Sequence, residues 1–135
     1  MFAGSHWRGG TDEVTVTIVP MLGVAFGTLR GVVPALEASL EWGAFDAYLE
    51  AEWFVDTSER SRSFVYAWSE LGWTPGDGWR LGAVAQRSRR YGESRDVQRG
   101  LFVQREIGWA TLGVFAFEPA DPSRRLVLLM VGAGF

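Results

Sequence analysis

The chain has 135 residues, which is enough for one domain and too few for two comfortable ones. Its seven Trp, nine Phe and three Tyr side chains require burial in a core or in lipid, which excludes disorder, and the absence of cysteine excludes a disulfide scaffold. A formal net charge of −3 argues against nucleic-acid binding, because that function needs a clustered basic surface.

Any crossing of a membrane would have to be made by strands. No stretch of the sequence is apolar over the roughly 18 residues that a spanning helix requires. Residues 1–13 contain Gly, Ser and the single histidine and are predicted to be a flexible N-terminal segment. Residues 14–135 are predicted to form the folded domain.

Alternation of apolar and polar residues predicts eight strands in this domain. In the second predicted strand, for example, Leu36, Ala38, Leu40 and Trp42 fall on one face, and two glutamates and a serine fall on the other. The eight predicted strands cover approximately residues 14–26, 36–42, 47–55, 64–73, 79–87, 97–105, 109–117 and 125–135.

The connections alternate in length along the chain. Residues 43–44, 74–78 and 106–108 are predicted tight turns, whereas 56–63, 88–96 and 118–124 are longer and polar. Short turns on one rim and long loops on the other are typical of a transmembrane barrel. The sequence therefore predicts an all-β fold, an eight-stranded antiparallel up-and-down transmembrane β-barrel.

If the apolar face meets lipid, the charged face lines the lumen of this barrel. Seven acids then accompany one arginine, and unpaired charges in a filled lumen would cost several kcal/mol each. A bulge on the fifth or sixth predicted strand would compensate, because it would turn Arg87, Arg99 or Arg105 inward. The predicted lumen charge cluster consists of Glu37, Glu41, Asp46, Glu50, Glu52, Glu70, Arg80 and Glu106.

Tryptophans fall at strand ends beside the tight turns. A ring of tryptophans on one rim is typical of the interfacial girdle of a membrane barrel, although tryptophan at a strand end can also simply cover the edge of a core. The predicted girdle consists of Trp42, Trp73, Trp79, Trp109 and Phe135.

The last predicted strand places Val127, Leu129, Val131, Ala133 and Phe135 on one face. This pattern resembles the C-terminal signature of bacterial outer-membrane β-barrel proteins, and the meander of residues 14–135 resembles the eight-stranded OmpA- and OmpX-type barrels. Segments 66–71 and 97–100 also look like parts of proteobacterial outer-membrane proteins. The resemblance implies a Gram-negative outer-membrane location and recognition of the C-terminal strand by the barrel assembly machinery.

The sequence offers little for catalysis. His6 lies in the N-terminal segment, which cannot hold a base rigidly against a nucleophile, and zinc would need a second histidine or cysteine. Glu50 and Glu52 share a face, but no open groove is implied for acid/base chemistry. No catalytic residue, cofactor or metal is therefore predicted.

Arginines near the longer loops have two interpretations. They could clamp the phosphates of lipopolysaccharide, because guanidinium pairs with phosphate in a bidentate manner, or they could be solvated charges paired with loop acids. The candidate lipopolysaccharide contacts are Arg60, Arg62, Arg89, Arg90 and Arg95.

These observations predict a small non-enzymatic outer-membrane protein with a structural, adhesive or lipid-interacting role and no nucleic-acid partner. One alternative is a porin-like passive or cation-preferring pore, or one part of a larger barrel assembly. Another is a soluble calycin-like barrel that binds an apolar ligand. The oligomeric state is left open.

Overall fold

The alternating sequence forms ten strands in the computed structural model, which describes residues 1–133. Among these residues the only helix is a single 3-10 turn, Arg60–Arg62. The described residues thus contain no helix that is long and apolar enough to span a bilayer. The strands are β1 (Phe2–Gly4), β2 (Trp7–Gly10), β3 (Val14–Ala25), β4 (Gly31–Trp42), β5 (Phe45–Asp56), β6 (Phe64–Gly76), β7 (Trp79–Arg90), β8 (Asp96–Ile107), β9 (Ala110–Phe117) and β10 (Leu126–Ala133).

All ten strands belong to one antiparallel sheet in which each strand from β3 to β10 pairs with its neighbour in the chain. The turns 43–44, 77–78 and 108–109 share one rim, and the longer connections 57–63, 91–95 and 118–125 share the other. We call these the turn rim and the loop rim. The eight strands predicted for residues 14–135 correspond to β3–β10, and most of them extend a few residues further than expected.

The N-terminal segment differs from its prediction. Residues 2–4 and 7–10 form β1 and β2, which both pair antiparallel with the outer edge of β3. Glycine 23 permits this pairing, because a Cβ there would lie 2.5 Å from the Phe2 ring. The segment has no alternating pattern of its own, so its strand conformation depends on the edge offered by β3.

The sheet is open rather than closed. Within residues 1–133, β10 pairs only with β9, and the outer edge of β3 is taken by β1 and β2. Ten strands and an open sheet replace the predicted closed barrel of eight. The predicted girdle residue Phe135 lies outside the described residues.

The predicted bulge on the fifth or sixth strand was wrong. The pairing of β7 with β8 is continuous from Trp79↔Arg105 to Ser88↔Asp96, and the register shift lies between Trp73 and Gly76 in β6. Arg87, Arg99 and Arg105 therefore stay on the face that carries leucine and valine. Gly76 has a φ of 131°, a backbone conformation that residues other than glycine rarely adopt. The irregularity therefore falls at this glycine, beside the turn.

The two faces of the sheet differ sharply in character. The apolar face carries rows such as Ile18–Ala38–Leu49–Ser69–Ala85, which run across β3–β7. The opposite, polar face carries the carboxylates and also the buried core of Val84, Phe102, Phe115 and Phe117.

The sheet curves toward its polar face. Trp68 on β6 lies three strands from Phe115 and Phe117 on β9, about 14 Å away in a flat sheet whose side chains stand upright. The ring centroids nevertheless lie only 5.6 Å apart in both pairs. The polar face is thus concave across β6–β9, and its aromatic side chains fill the space inside the curve.

Candidate functional site

Arg80 is the centre of an ionic cluster on the concave face. From β7 it donates hydrogen bonds to Asp46 on β5, to Glu70 on β6 at 2.8 Å and to Gln104 on β8 at 2.8 Å. Its guanidinium carbon also lies 4.6 Å from the centroid of the Phe102 ring. We call Arg80, Asp46, Glu70 and Gln104 the Arg80 cluster, which joins four consecutive strands by side-chain contacts.

A glycine makes room for this cluster. Gly72 lies between Asp46 and Gly82 in the register of β5, β6 and β7. A Cβ at position 72 would come within 2.6 Å of Arg80 Nε and would also meet the Asp46 carboxylate. The space that a side chain would occupy is filled by the Arg80–Asp46 ion pair instead.

The Arg80 cluster is continuous with the aromatic core. Trp68 donates its indole N–H to Glu70 at 2.8 Å and packs edge to face on Phe115 and Phe117. Gln104 also approaches Met130 on β10, with 3.8 Å between Nε2 and Sδ. The polar and apolar parts of the concave face therefore form one packed layer from β5 to β10.

Three further acids of the predicted lumen cluster lie together on β4 and β5. Glu37 is directly opposite Glu50, and Glu52 is opposite Tyr66. Tyr48 donates a hydrogen bond to Glu50 at 3.1 Å. No salt bridge among residues 1–133 involves these three glutamates, so this half of the concave face carries net negative charge.

All eight residues of the predicted lumen cluster lie on the concave face, but the structure does not bring them all together. Asp46, Glu70 and Arg80 are in direct contact. Glu41 and Glu106 are exposed near the turn rim, at the ends of β4 and β8. The alternation in the sequence assigns the shared face, whereas the contacts depend on the strand register.

The loop rim contains a buried acid that was not among the site residues predicted from the sequence. Asp56 ends β5 and accepts hydrogen bonds from the N–H groups of Ser58 at 2.7 Å and Glu59 at 2.9 Å. The hydrogen bond from Glu59 lowers the pKa of Asp56, with Ser58 and Arg62 adding to it and burial opposing it. Aspartate followed by Thr and Ser at a strand end is a turn signal, and it could have identified this residue.

The four tryptophans of the predicted girdle are all exposed at the turn rim. Trp42 and Trp79 lie at strand ends on the apolar face, and Trp73 lies on the same face three residues before the end of β6. Trp109 lies in the turn between β8 and β9. Arg105 lies beside them, with its guanidinium carbon 4.7 Å from the centroid of the Trp79 ring.

The candidate lipopolysaccharide contacts do not share one surface. Arg60 and Arg62 lie in the 3-10 turn, where Arg62 forms ion pairs with Asp56 and Glu59. On β7, Arg89 pairs with Val65 on the apolar face and Arg90 pairs with Phe64 on the concave face. Arg95 lies in the loop before β8. The structure thus separates Arg89 from the others and places it on the same face as Arg87 and Arg99.

The histidine is exposed between β1 and β2. In residues 1–133 no group of three or more His, Asp or Glu side chains is arranged to hold a metal ion.

Comparisons with known proteins add no relative. No protein-family model and no curated protein match the sequence, and no solved structure matches the fold.

Proposed function

We propose that this chain is a non-enzymatic β-barrel protein of the bacterial outer membrane with a structural or lipid-interacting role. The observation that carries the proposal is the exposure of large apolar side chains in the middle of the apolar face. Leu71 and Leu101 are 66% and 62% exposed, while the carboxylates and the core share the concave face. A contiguous apolar surface of this kind is rare on soluble monomers and suits contact with acyl chains.

The proposal disfavours the soluble calycin-like alternative. A soluble barrel places its apolar side chains inside and its charges outside. Here Arg80, Asp46 and Glu70 lie on the concave face of the sheet, which favours the opposite arrangement.

A membrane location requires closure of the sheet, because an open strand edge in hydrocarbon leaves backbone N–H and C=O groups without partners. Seven antiparallel pairings separate β3 from β10, so these two strands run in opposite directions and can pair in an antiparallel manner. We propose that the eight strands β3–β10 close on one another, and that β1 and β2 leave the edge of β3 to permit it. The tight curvature at Trp68, Phe115 and Phe117 supports a small barrel.

Insertion is tested with vesicles of brominated and unbrominated phosphatidylcholine. We expect bromine to quench the tryptophan fluorescence strongly, and we expect the protein to need detergent or lipid to remain monodisperse. A chain that stays monodisperse in plain buffer and is not quenched would refute the membrane location.

Closure is tested with engineered cysteines, which report cleanly because the natural chain has none. Ala3 and Leu22 are direct partners in β1 and β3, so a disulfide between Ala3→Cys and Leu22→Cys would lock β1 in place. We expect the locked protein to lose the heat-modifiable gel migration of a closed barrel and to regain it on reduction. The control is Ala38→Cys with Leu49→Cys, partners in β4 and β5, which should leave migration unchanged.

A second candidate function is a cation-preferring pore, formed by this chain alone or as one part of a larger barrel assembly. Glu37, Glu50 and Glu52, which form no ion pair among residues 1–133, favour cations over anions. The aromatic side chains that fill the β6–β9 half weigh against an open channel. Efflux of a cationic dye from vesicles distinguishes the two, because the filled barrel should release none.

A further inference from the structure

Three arginines interrupt the apolar face near the loop rim. Arg87 and Arg89 are alternate residues of β7, and Arg99 of β8 pairs with Ala85. Arg87 and Arg99 are therefore diagonal neighbours, about 8 Å or less apart at their Cα atoms. All three side chains are exposed, and none forms a salt bridge within the described part of the chain.

A groove of about 630 Å³ crosses the same face and ends at Arg99. Small side chains, such as Ala38, Ala47 and Ala85, form its floor, and Leu49 and Leu71 stand beside them. It spans β3–β8 and is lined almost entirely by apolar atoms. An apolar groove with cations at one end is complementary to an amphiphile with an anionic head.

The position of the arginines on the apolar face favours the binding of an anion. Ten residues of β7 separate Trp79 at the turn rim from Arg89, which corresponds to about 25 Å of membrane thickness for a strand tilted by about 40°. Arg87 and Arg89 thus lie at the far boundary of an apolar band, and Arg99 lies inside it. An arginine on the lipid-facing side is costly unless its charge is compensated.

We propose that Arg87, Arg89 and Arg99 bind the phosphate group of a lipid whose acyl chain lies in the groove. This inference rests on the proposed membrane location and names the lipid-binding site within it. Guanidinium groups pair with phosphate oxygens in bidentate geometry, and the groove accepts the chain. Inorganic phosphate alone would satisfy the arginines but would leave the groove unfilled, so the site is assigned to a lipid.

The test uses the full chain in an uncharged detergent. Equal amounts of phosphatidic acid and phosphatidylcholine with identical acyl chains are added, and native mass spectrometry counts each lipid retained. We expect preferential retention of phosphatidic acid, because its phosphate monoester is more anionic and less shielded. An excess of inorganic phosphate should displace it only weakly. Equal retention of both lipids, or full displacement by inorganic phosphate, would overturn the proposal.

Variants locate the site. Arg87→Gln, Arg89→Gln and Arg99→Gln together should lower phosphatidic acid retention about tenfold or more, because each arginine near a membrane surface contributes to anion attraction. The charge-matched control is Arg8→Gln, Arg30→Gln and Arg125→Gln, which changes three exposed arginines outside the groove and should retain the lipid. A folded triple variant that binds like the original chain would contradict the assignment. If the triple variant does not fold, the single Arg87→Gln and Arg99→Gln variants carry the same comparison.

The groove is tested separately with Ala85→Phe, which should reduce retention of the lipid. The control is Ala110→Phe, on the same face but outside the groove.

An arginine-dependent dimer in place of lipid binding would assign the surface to a second copy and overturn the lipid site. Bromine quenching on the same preparation distinguishes failure of the lipid site from failure of the proposed membrane location. Quenching without lipid preference refutes only this site, whereas absence of quenching refutes the membrane location as well.

Discussion

At the scale of single residues, Arg80 is the cation on which two partly buried carboxylates depend. It is only 22% exposed and contacts both Asp46 and Glu70. Removing one partner of such a network leaves uncompensated charge in a poorly solvated place. This dependence makes Arg80 more critical than any other arginine on the sheet.

We expect Arg80→Met to lower the free energy of unfolding by about 3 kcal/mol, because both acids lose their cation. Urea titration in detergent micelles, followed by tryptophan fluorescence, measures the change. Arg105→Met is the matched control, since it removes only a stacking contact with Trp79 and should cost about 1 kcal/mol or less. Equal effects of the two variants would show that the Arg80 cluster contributes nothing beyond a surface charge.

Asp56 predicts a pH dependence. Its pKa is lower in the folded chain than in the unfolded chain, so its stabilising effect is complete above about pH 4 and is lost as the pH falls through the lowered pKa. The difference in unfolding free energy between the natural chain and Asp56→Asn should therefore shrink as the pH is lowered from about 6 to about 2. Urea titrations at each pH measure it. A difference that stays constant would contradict this role.

Residue-level contacts were only partly predictable from the sequence. Alternation alone assigns Arg80, Asp46 and Glu70 to one face, because the side-chain period of a strand is two residues. The choice of Asp46 and Glu70 over Glu37 or Glu50 depends on register and on the space above Gly72. Neither the strand register nor this space can be deduced from the local sequence. A bulge was therefore predicted to turn further arginines toward the acids, whereas Arg80 already compensates part of the negative charge.

At the scale of elements, the absence of a side chain at Gly72 in β6 leaves room for the Arg80–Asp46 ion pair, which connects β7 with β5. We expect Gly72→Val to displace the Arg80–Asp46 pair and to lower the free energy of unfolding by about 1–3 kcal/mol. The urea midpoint measures this loss. Gly132→Ala is the control, since its Cβ would meet nothing closer than 3.8 Å.

The same substitution also tests the mechanism. In an Arg80→Met background, Gly72→Val should cost clearly less, because the contact that it breaks is already gone. Additive effects of the two substitutions would indicate that the valine acts on the strand backbone alone.

The strands β3–β10 were predictable to within a few residues at most ends, because each has an alternating pattern bounded by turn residues. β1 and β2 were not, since their residues include three glycines and show no alternation. Pairing with a distant edge determines their conformation. Long-range pairing of this kind leaves no local signal.

At the scale of the whole molecule, the proposed membrane location predicts how the exposed apolar face responds to an added charge. Leu49 lies in the middle of that face. In a bilayer, Leu49→Arg should cost about 2–4 kcal/mol, whereas an exposed leucine in a soluble protein tolerates the change almost without loss. Urea titration in phosphatidylcholine vesicles measures the cost, with Leu49→Met as the control. A neutral result would refute lipid contact at this position.

The meander of β3–β10 also determines how the molecule can be built. Every pairing in it joins chain neighbours, so each hairpin needs only its own two strands to form. No pairing within β3–β10 has to wait for a strand that is distant in the sequence. A chain of this topology can therefore be assembled one hairpin at a time, in whatever order its strands become available.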